Sequence, residues 1–167
     1  MWLFILLISL FVALFDATVA PSLSIHGGIF SFTTSVILVF LVKKSFQNAS
    51  MLLIFSTIFL VIFSQIPVVY ILLPNFFLFI TITFAINKRL VDRPSTMLSV
   101  PIFAIAFLFF GLFRLLIMGE FSLTNLLLTL EGAIYSTIIT VALYFIINKI
   151  NYLLNPQAGR EQIKINI

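Results

Sequence analysis

Six long apolar runs, separated by short polar segments, make up most of this 167-residue chain. Each run is apolar on every side of a helix, so a soluble fold could not keep all of these faces away from water. A helix needs about 20 residues to cross a bilayer. The predicted spans are residues 2–20, 26–42, 49–65, 67–87, 97–118 and 123–148. The sequence therefore predicts an all-α integral membrane protein, a bundle of about six transmembrane helices that forms a single domain over residues 1–154.

The composition favours helices in lipid and leaves no room for an additional soluble domain. The chain is 62% hydrophobic and 8% charged, with a mean hydropathy of +1.28, whereas a typical soluble domain is about 45–50% apolar and about 25% charged. Helices are expected because they pair their own backbone groups inside lipid. The second and third runs are short for a span, so the sequence leaves open whether they cross fully.

The positions of the basic residues predict the orientation of the bundle. If six helices cross the membrane, eight of the nine Lys and Arg residues fall on one side, and short loops rich in Lys and Arg stay in the cytoplasm. The basic loop residues expected to set this topology are Lys43, Lys44, Lys88, Arg89, Arg93 and Lys149. Both termini are therefore predicted to be cytoplasmic, with residues 155–167 as a polar tail. Because these charges mark loop ends and form no continuous face, no nucleic-acid partner is expected.

The N-terminal run is interpreted as a retained first helix. A signal peptide is the competing interpretation, because Thr18-Val19-Ala20, after an apolar stretch, resembles a small-residue cleavage site. No Lys or Arg precedes the run, however, and Asp16 lies inside the would-be cleavage region.

Two charged residues lie at membrane depth, where charges are costly and usually paired. Arg114 lies about one turn inside the outer end of the fifth predicted helix, and Glu131 about two turns inside the outer end of the sixth. The two helices form a tight predicted hairpin, so we expect Arg114 and Glu131 to form a buried structural ion pair. Snorkelling of Arg114 to the outer head groups, or a role in binding a ligand or proton, are the alternatives.

A stripe of small residues runs along the sixth predicted helix. Gly132, Ser136 and Thr140 recur every four residues, a spacing that places them on one face and lets another helix approach closely. Ala13 and Ala17 make a similar, shorter step in the first helix. Such stripes indicate helix packing and do not by themselves specify a partner.

The sequence contains no pattern typical of a catalytic, metal or cofactor site. The absence of cysteine excludes disulfides, a thiol nucleophile and thiolate metal ligands. His26 stands alone, and a metal would need further ligands nearby. Phosphate-binding glycine loops and a Ser-His-Asp arrangement are missing as well. We therefore expect a protein that is not an enzyme and needs no cofactor.

Three features of the layout point to one known family. Positive loops follow the second, fourth and sixth runs. A short loop containing Pro21 leads to a second run that begins at Gly27-Gly28. The last run, over residues 126–136, combines alanine and tyrosine and continues to a basic end at Lys149. In these respects the chain resembles the rod shape-determining protein MreD family, small six-helix inner-membrane proteins of bacteria.

The resemblance implies a non-enzymatic scaffold in the inner membrane. Its partners would be MreC-like and cell-wall synthase components, so that it couples the MreB cytoskeleton to peptidoglycan synthesis and cell shape. Helix surfaces such as the small-residue stripe, and cytoplasmic loops such as residues 88–95, would carry the contacts. The family's Asp-Leu-x-Ser and Pro-Phe-Gly type motif in the third helix is not retained, since only Ser64 and Pro67 echo it. No functional residue is therefore carried over.

Two other classes of protein fit the same layout. A small-molecule-binding subunit of an energy-coupling factor type transporter also has about six helices, and it needs several polar groups that converge on one cavity. The candidates in the outer half of the predicted bundle are Asp16, His26, Asn75, Arg114, Glu120 and Glu131. A membrane enzyme needs paired catalytic groups within reach of each other, and only Arg114 with Glu131 comes close.

Overall fold

A computed structural model describes residues 2–22, 31–64, 67–87, 96–119 and 121–154, and the regular secondary structure in these segments is entirely helical. The helices are α1 (Trp2–Thr18), α2 (Phe32–Val42), α3 (Phe46–Ser64), α4 (Val68–Asn87), α5 (Thr96–Met118) and α6 (Leu123–Leu154). The predicted all-α bundle of about six helices is thus confirmed.

Helices α3 to α6 are long and apolar enough to cross a membrane, whereas α1 and α2 are shorter apolar helices. The 19 residues of α3 extend over about 28 Å, nearly the full thickness of a hydrocarbon core of about 30 Å. The 11 residues of α2 cover about half of that thickness. Of the two runs that are short in sequence, the third forms a long helix and the second does not. Residue 26, the predicted start of the second span, lies outside the described residues.

The last helix is longer than its predicted span. α6 has 32 residues and continues to Leu154, six residues past the predicted end at residue 148. Its length is about 48 Å, which exceeds the hydrocarbon core by more than three turns. α6 is therefore longer than the hydrocarbon core is thick, whereas the lengths of α3, α4 and α5 are close to that thickness.

Helix α2 is the centre of the bundle. It contacts α1, α3, α4 and α6, and all of its residues except Phe32 and Phe40 are buried. Its buried apolar side chains belong to two clusters, one shared with α1 and α3 and the other shared with α4, α5 and α6. An apolar helix without a polar face is expected in such a buried position. α2 thus joins two groups of helices.

Small buried side chains lie at the contact between α1 and α3. Ser9 and Ala13 on α1 are fully buried, as are Ala49 and Ser56 on α3, and these two helices pack against each other. The hydroxyl of Ser9 donates to the carbonyl of Ile5 at 2.8 Å, so the polar group is satisfied inside its own helix. Close approach of helix backbones through small residues is typical of packing in membranes.

The polar residues define two ends of the bundle. Lys43 directly follows α2, and its ammonium nitrogen lies 6.0 Å from the centre of the Tyr144 ring on α6. Lys149 follows five residues later on α6 and is exposed. We call the end that carries Lys43, Lys44 and Lys149 the basic end. The loop between α5 and α6, described at residues 119, 121 and 122, lies at the opposite end of α6. At the basic end, the Lys43 ammonium is partly buried, and this burial lowers its pKa.

The outer faces of the bundle are apolar. Large exposed hydrophobic side chains occur on α1, α3, α4, α5 and α6, for example Phe11 at 65%, Phe84 at 59% and Ile138 at 60% exposure. Soluble proteins rarely expose continuous apolar surface of this extent. Together with the four long apolar helices, this surface indicates a multi-pass membrane protein in contact with lipid.

Candidate functional site

The carboxylate of Asp16 holds the start of α2. Asp16 lies near the end of α1 and accepts the backbone N–H groups of Phe32 at 2.7 Å and Thr33 at 2.8 Å. The side-chain oxygen of Ser31, the N-cap residue, accepts the N–H of Thr34 at 3.2 Å. The first N–H groups of a helix have no partner within it, and a negative charge there is favoured by the helix dipole. Asp16 and Ser31 together therefore cap a helix end that lies inside the bundle.

A chain of hydrogen bonds continues from this cap to α4. The Thr34 hydroxyl donates to the amide oxygen of Asn75 at 2.8 Å, and the Ser31 and Thr34 hydroxyls lie 2.7 Å apart. The Ser31 hydroxyl also lies 3.4 Å from Oδ2 of Asp16, so it connects the Asp16 carboxylate to the Thr34 hydroxyl. The amide nitrogen of Asn75 donates to the carbonyl of Ile71 at 3.0 Å. These bonds link α1, α2 and α4 at one level.

The hydrogen-bonded network also includes α6, which it contacts at the small-residue stripe. The backbone N–H of Ser31 donates to the Ser136 hydroxyl at 3.4 Å, and the Thr140 hydroxyl donates to the Ser136 carbonyl at 2.6 Å. Gly132, Ser136 and Thr140 are all buried. The structure therefore places the stripe inside the bundle, where Ser136 contacts the residue that precedes α2.

A cavity of about 170 Å³ lies beyond the N-terminal end of α2, between α5 and α6. The described residues that line it are Ser31, Phe107, Phe110, Gly111, Arg114, Leu115, Met118, Asn125, Leu128, Thr129, Gly132, Ala133 and Ser136. Along α6 the lining runs from Asn125 to Ser136, about 16 Å of helix axis. Five of these residues have polar side chains, and Arg114 is the charged one. The cavity thus combines one positive charge with four hydrogen-bonding side chains in an apolar frame.

Gly111 sets how closely α5 and α6 approach beside this cavity. A methyl group added at Gly111 would overlap the Cγ2 methyl of Thr129 on α6. Beyond the end of α5, Gly119 adopts a φ of +69°, a left-handed conformation that glycine adopts without steric cost and that commonly ends helices. These two glycines are thus explained by the tight hairpin of α5 and α6.

The two charged residues predicted to pair are both half-buried. Arg114 lines the cavity, and Glu131 is not among its lining residues. The predicted Arg114–Glu131 ion pair stays a prediction, which a charge exchange would test. Of the polar residues considered for a transporter-type site, Asp16 and Asn75 belong to the hydrogen-bonded network and Arg114 belongs to the cavity. His26 and Glu120 lie outside the described residues.

Three of the predicted topology-setting residues are described and three are not. Lys43 and Lys44 form the turn after α2, and Lys149 lies near the end of α6. Lys88, Arg89 and Arg93 lie outside the described residues, as does the predicted tail at residues 155–167. Within the described segments, no group of three or more His, Cys, Asp or Glu side chains is arranged to hold a metal ion.

Sequence reasoning missed the polar network that surrounds the start of α2. One local signal was available, because a serine directly before an apolar run is typical of an N-cap, and Ser31 occupies that position. The role of Asp16 had no such signal, since 16 residues separate it from the N–H group of Phe32 that it accepts. Its assignment needed the tertiary structure.

Comparison with known proteins gives no relative to which a function could be tied. No protein-family model matches the chain, and searches of curated proteins and of solved structures also found no match.

Proposed function

We propose that this chain is a non-enzymatic scaffold of the bacterial inner membrane, similar to the MreD family, that organises cell-wall elongation and cell shape through helix–helix contacts. The observation that supports the proposal is the succession of six helices in which Lys43 and Lys44 follow α2 and Lys149 lies near the end of α6. A scaffold needs surfaces for partner helices and no catalytic groups. MreC-like proteins and cell-wall synthases are the proposed partners.

Because the small-residue stripe is buried, the proposed contact surface for partner helices lies elsewhere. Gly132, Ser136 and Thr140 pack inside this chain, so partners would contact other faces of the bundle. An apolar groove of about 190 Å³ lies between α5 and α6. Its lining residues are Ala104, Leu108, Leu130, Ala133, Ile134, Thr137 and Ile138. The small side chains at its floor suit close approach of a partner helix.

Photo-crosslinking from this groove tests the scaffold proposal. A crosslinking amino acid at Ile134, 52% exposed in the groove, is compared with one at Ile58, 50% exposed on α3. After irradiation of native membranes, the tagged protein is purified and its adducts are identified by mass spectrometry. Recovery of MreC-like, MreB-like or cell-wall synthase proteins from position 134, and not from position 58, is the expected result. Recovery of paired ATPases with a coupling membrane protein would contradict the scaffold role.

The cavity favours one other function, that of a small-molecule-binding subunit of an energy-coupling factor type transporter. It contains Arg114 and four further polar side chains, as a binding site requires. Its volume of about 170 Å³ is smaller than the roughly 300–1,000 Å³ typical of sites for drug-sized ligands. Among the described outer-half polar residues considered for such a site, Arg114 lines the cavity, whereas Asp16, Asn75 and Glu131 are not among its lining residues. We therefore rank this function second.

A further inference from the structure

We propose that the cavity between α5, α6 and the start of α2 binds the phosphate group of an anionic ligand, with Arg114 as its charged contact. This inference goes beyond the scaffold role and does not depend on it. The ligand class follows from the charge, the hydrogen-bonding groups and the size of the cavity.

The charge of the cavity favours an anion. Arg114 is positively charged, and none of the described lining residues is acidic. Behind Ser31, the two oxygens of the Asp16 carboxylate accept the N–H groups of Phe32 and Thr33 at 2.7 and 2.8 Å, and one of them also lies 3.4 Å from the Ser31 hydroxyl. The charge of Asp16 is thus bound at the start of α2, at the Ser136 end of the cavity. A guanidinium has five N–H donors, so Arg114 can hold a protein neighbour and a phosphate oxygen together.

The other polar side chains suit a phosphate. Asn125 and Thr129 line the α6 side of the cavity, and Thr129 lies against Gly111, about one turn from Arg114 on α5. Amide and hydroxyl groups donate hydrogen bonds, and arginine recognises phosphate by paired, charge-assisted bonds. A phosphate has several acceptor oxygens, so more than one of these groups can bind it.

The size of the cavity limits what is attached to the phosphate. A volume of about 170 Å³ is close to that of a cavity of about 150 Å³ that holds benzene. A phosphate with a few carbon atoms fits, as in a phospholipid head group or a small water-soluble phosphate ester. The neighbouring apolar groove shares Ala133 with the cavity, which suits an attached acyl chain.

Native mass spectrometry of the purified full-length protein tests this assignment. The probes are phosphatidylglycerol, dioleoylglycerol and glycerol 3-phosphate. The second probe has acyl chains and no phosphate, and the third has phosphate and no chains. The variants are R114Q, which removes the charge, and K149Q, which removes an exposed charge at the other end of α6. We expect the wild type and K149Q to bind a phosphate probe at least about tenfold more tightly than R114Q does.

The pattern across the probes identifies the source of the phosphate. Binding of phosphatidylglycerol without binding of glycerol 3-phosphate assigns a lipid, and binding of glycerol 3-phosphate assigns a soluble ester. Equal binding of phosphatidylglycerol by the wild type and R114Q, or equal binding of dioleoylglycerol and phosphatidylglycerol, would overturn the proposal. If R114Q does not fold, N125L replaces it, with a loss of about fivefold expected. Unchanged affinity of N125L would then overturn it.

Discussion

Asp16 is the residue that explains how α2 can begin inside the bundle. In lipid there is no water to satisfy free N–H groups, and its carboxylate accepts two of them, from Phe32 and Thr33. A neighbouring helix thus supplies the cap that the local sequence supplies only in part, through Ser31. A charge inside a membrane protein is costly unless it is paired or hydrogen-bonded, and this capping role accounts for the presence of Asp16.

Replacing Asp16 should destabilise the protein in a graded way. D16N keeps one acceptor oxygen and loses the charge, and D16A loses both acceptors. We expect D16A to lower the free energy of unfolding by about 2–3 kcal/mol and D16N by about 1 kcal/mol. Unfolding in mixed detergent micelles measures both values. T18A is the control, since the exposed hydroxyl of Thr18 donates to the carbonyl of Leu14 within α1 at 2.7 Å. Equal stability of D16A and T18A would contradict the capping role.

Lys44 carries backbone strain in the turn between α2 and α3. Its φ is 58°, its N–H donates to the carbonyl of Leu41 at 2.8 Å, and the N–H of Ser45 donates to the carbonyl of Phe40 at 2.9 Å. This pair of bonds is a Schellman motif, in which glycine is the usual residue at the left-handed position.

K44G should therefore stabilise the fold although it removes a charge. We expect a gain of about 1 kcal/mol, which corresponds to a rise of about 2–4 °C in the thermal midpoint in detergent. K43G removes the same charge one position earlier, where φ is −76°, and it should lower the midpoint because glycine adds freedom to the unfolded chain. Equal shifts for the two variants would show that charge, and not backbone strain, decides.

At the scale of the helices, the contact between α5 and α6 depends on Gly111 and Thr129. We expect G111A to lower the free energy of unfolding by about 1–3 kcal/mol, because its new methyl group overlaps the Thr129 methyl. T129S removes that methyl and keeps the hydroxyl. The double variant G111A/T129S should therefore recover most of the loss. Additive destabilisation in a double-mutant cycle of unfolding free energies would contradict this close contact.

The predicted Arg114–Glu131 ion pair belongs to the same hairpin. If the two side chains pair, R114E and E131R should each lower the thermal midpoint, because each places two like charges at similar depth. The exchanged variant R114E/E131R should restore a large part of that midpoint. An exchanged variant no more stable than either single variant would exclude the pairing.

The helices were largely predictable from the sequence, and their different burial was not. Long apolar runs locate α3 to α6 because length and hydropathy alone identify a helix in lipid. The same pattern cannot distinguish a lipid-facing helix from one surrounded by protein, so the central position of α2 required the tertiary contacts. Likewise, the spacing of Gly132, Ser136 and Thr140 indicates a packing face, but it does not say which helix covers that face.

At the scale of the whole molecule, α2 joins α1 and α3 to α4, α5 and α6. Lys43, Lys44 and Lys149 lie at the basic end, whereas Asp16 belongs to the hydrogen-bonded network and Arg114 to its adjoining cavity. Lys43 beside Tyr144 places the end of α2 and the C-terminal part of α6 at the same end. We therefore predict a multi-pass bundle with the basic end in the cytoplasm and the α5–α6 loop outside, which is the arrangement the proposed scaffold requires.

Labelling of single cysteines in oriented membrane vesicles tests this arrangement most directly, because the chain has no cysteine of its own. The probes are S122C in the α5–α6 loop and Q47C at the basic end, both at exposed positions, with the buried I37C as the control. A membrane-impermeant maleimide should label S122C in right-side-out vesicles and Q47C in inside-out vesicles, and I37C in neither. Labelling of Q47C in right-side-out vesicles, or of both exposed positions from one side, would contradict the account.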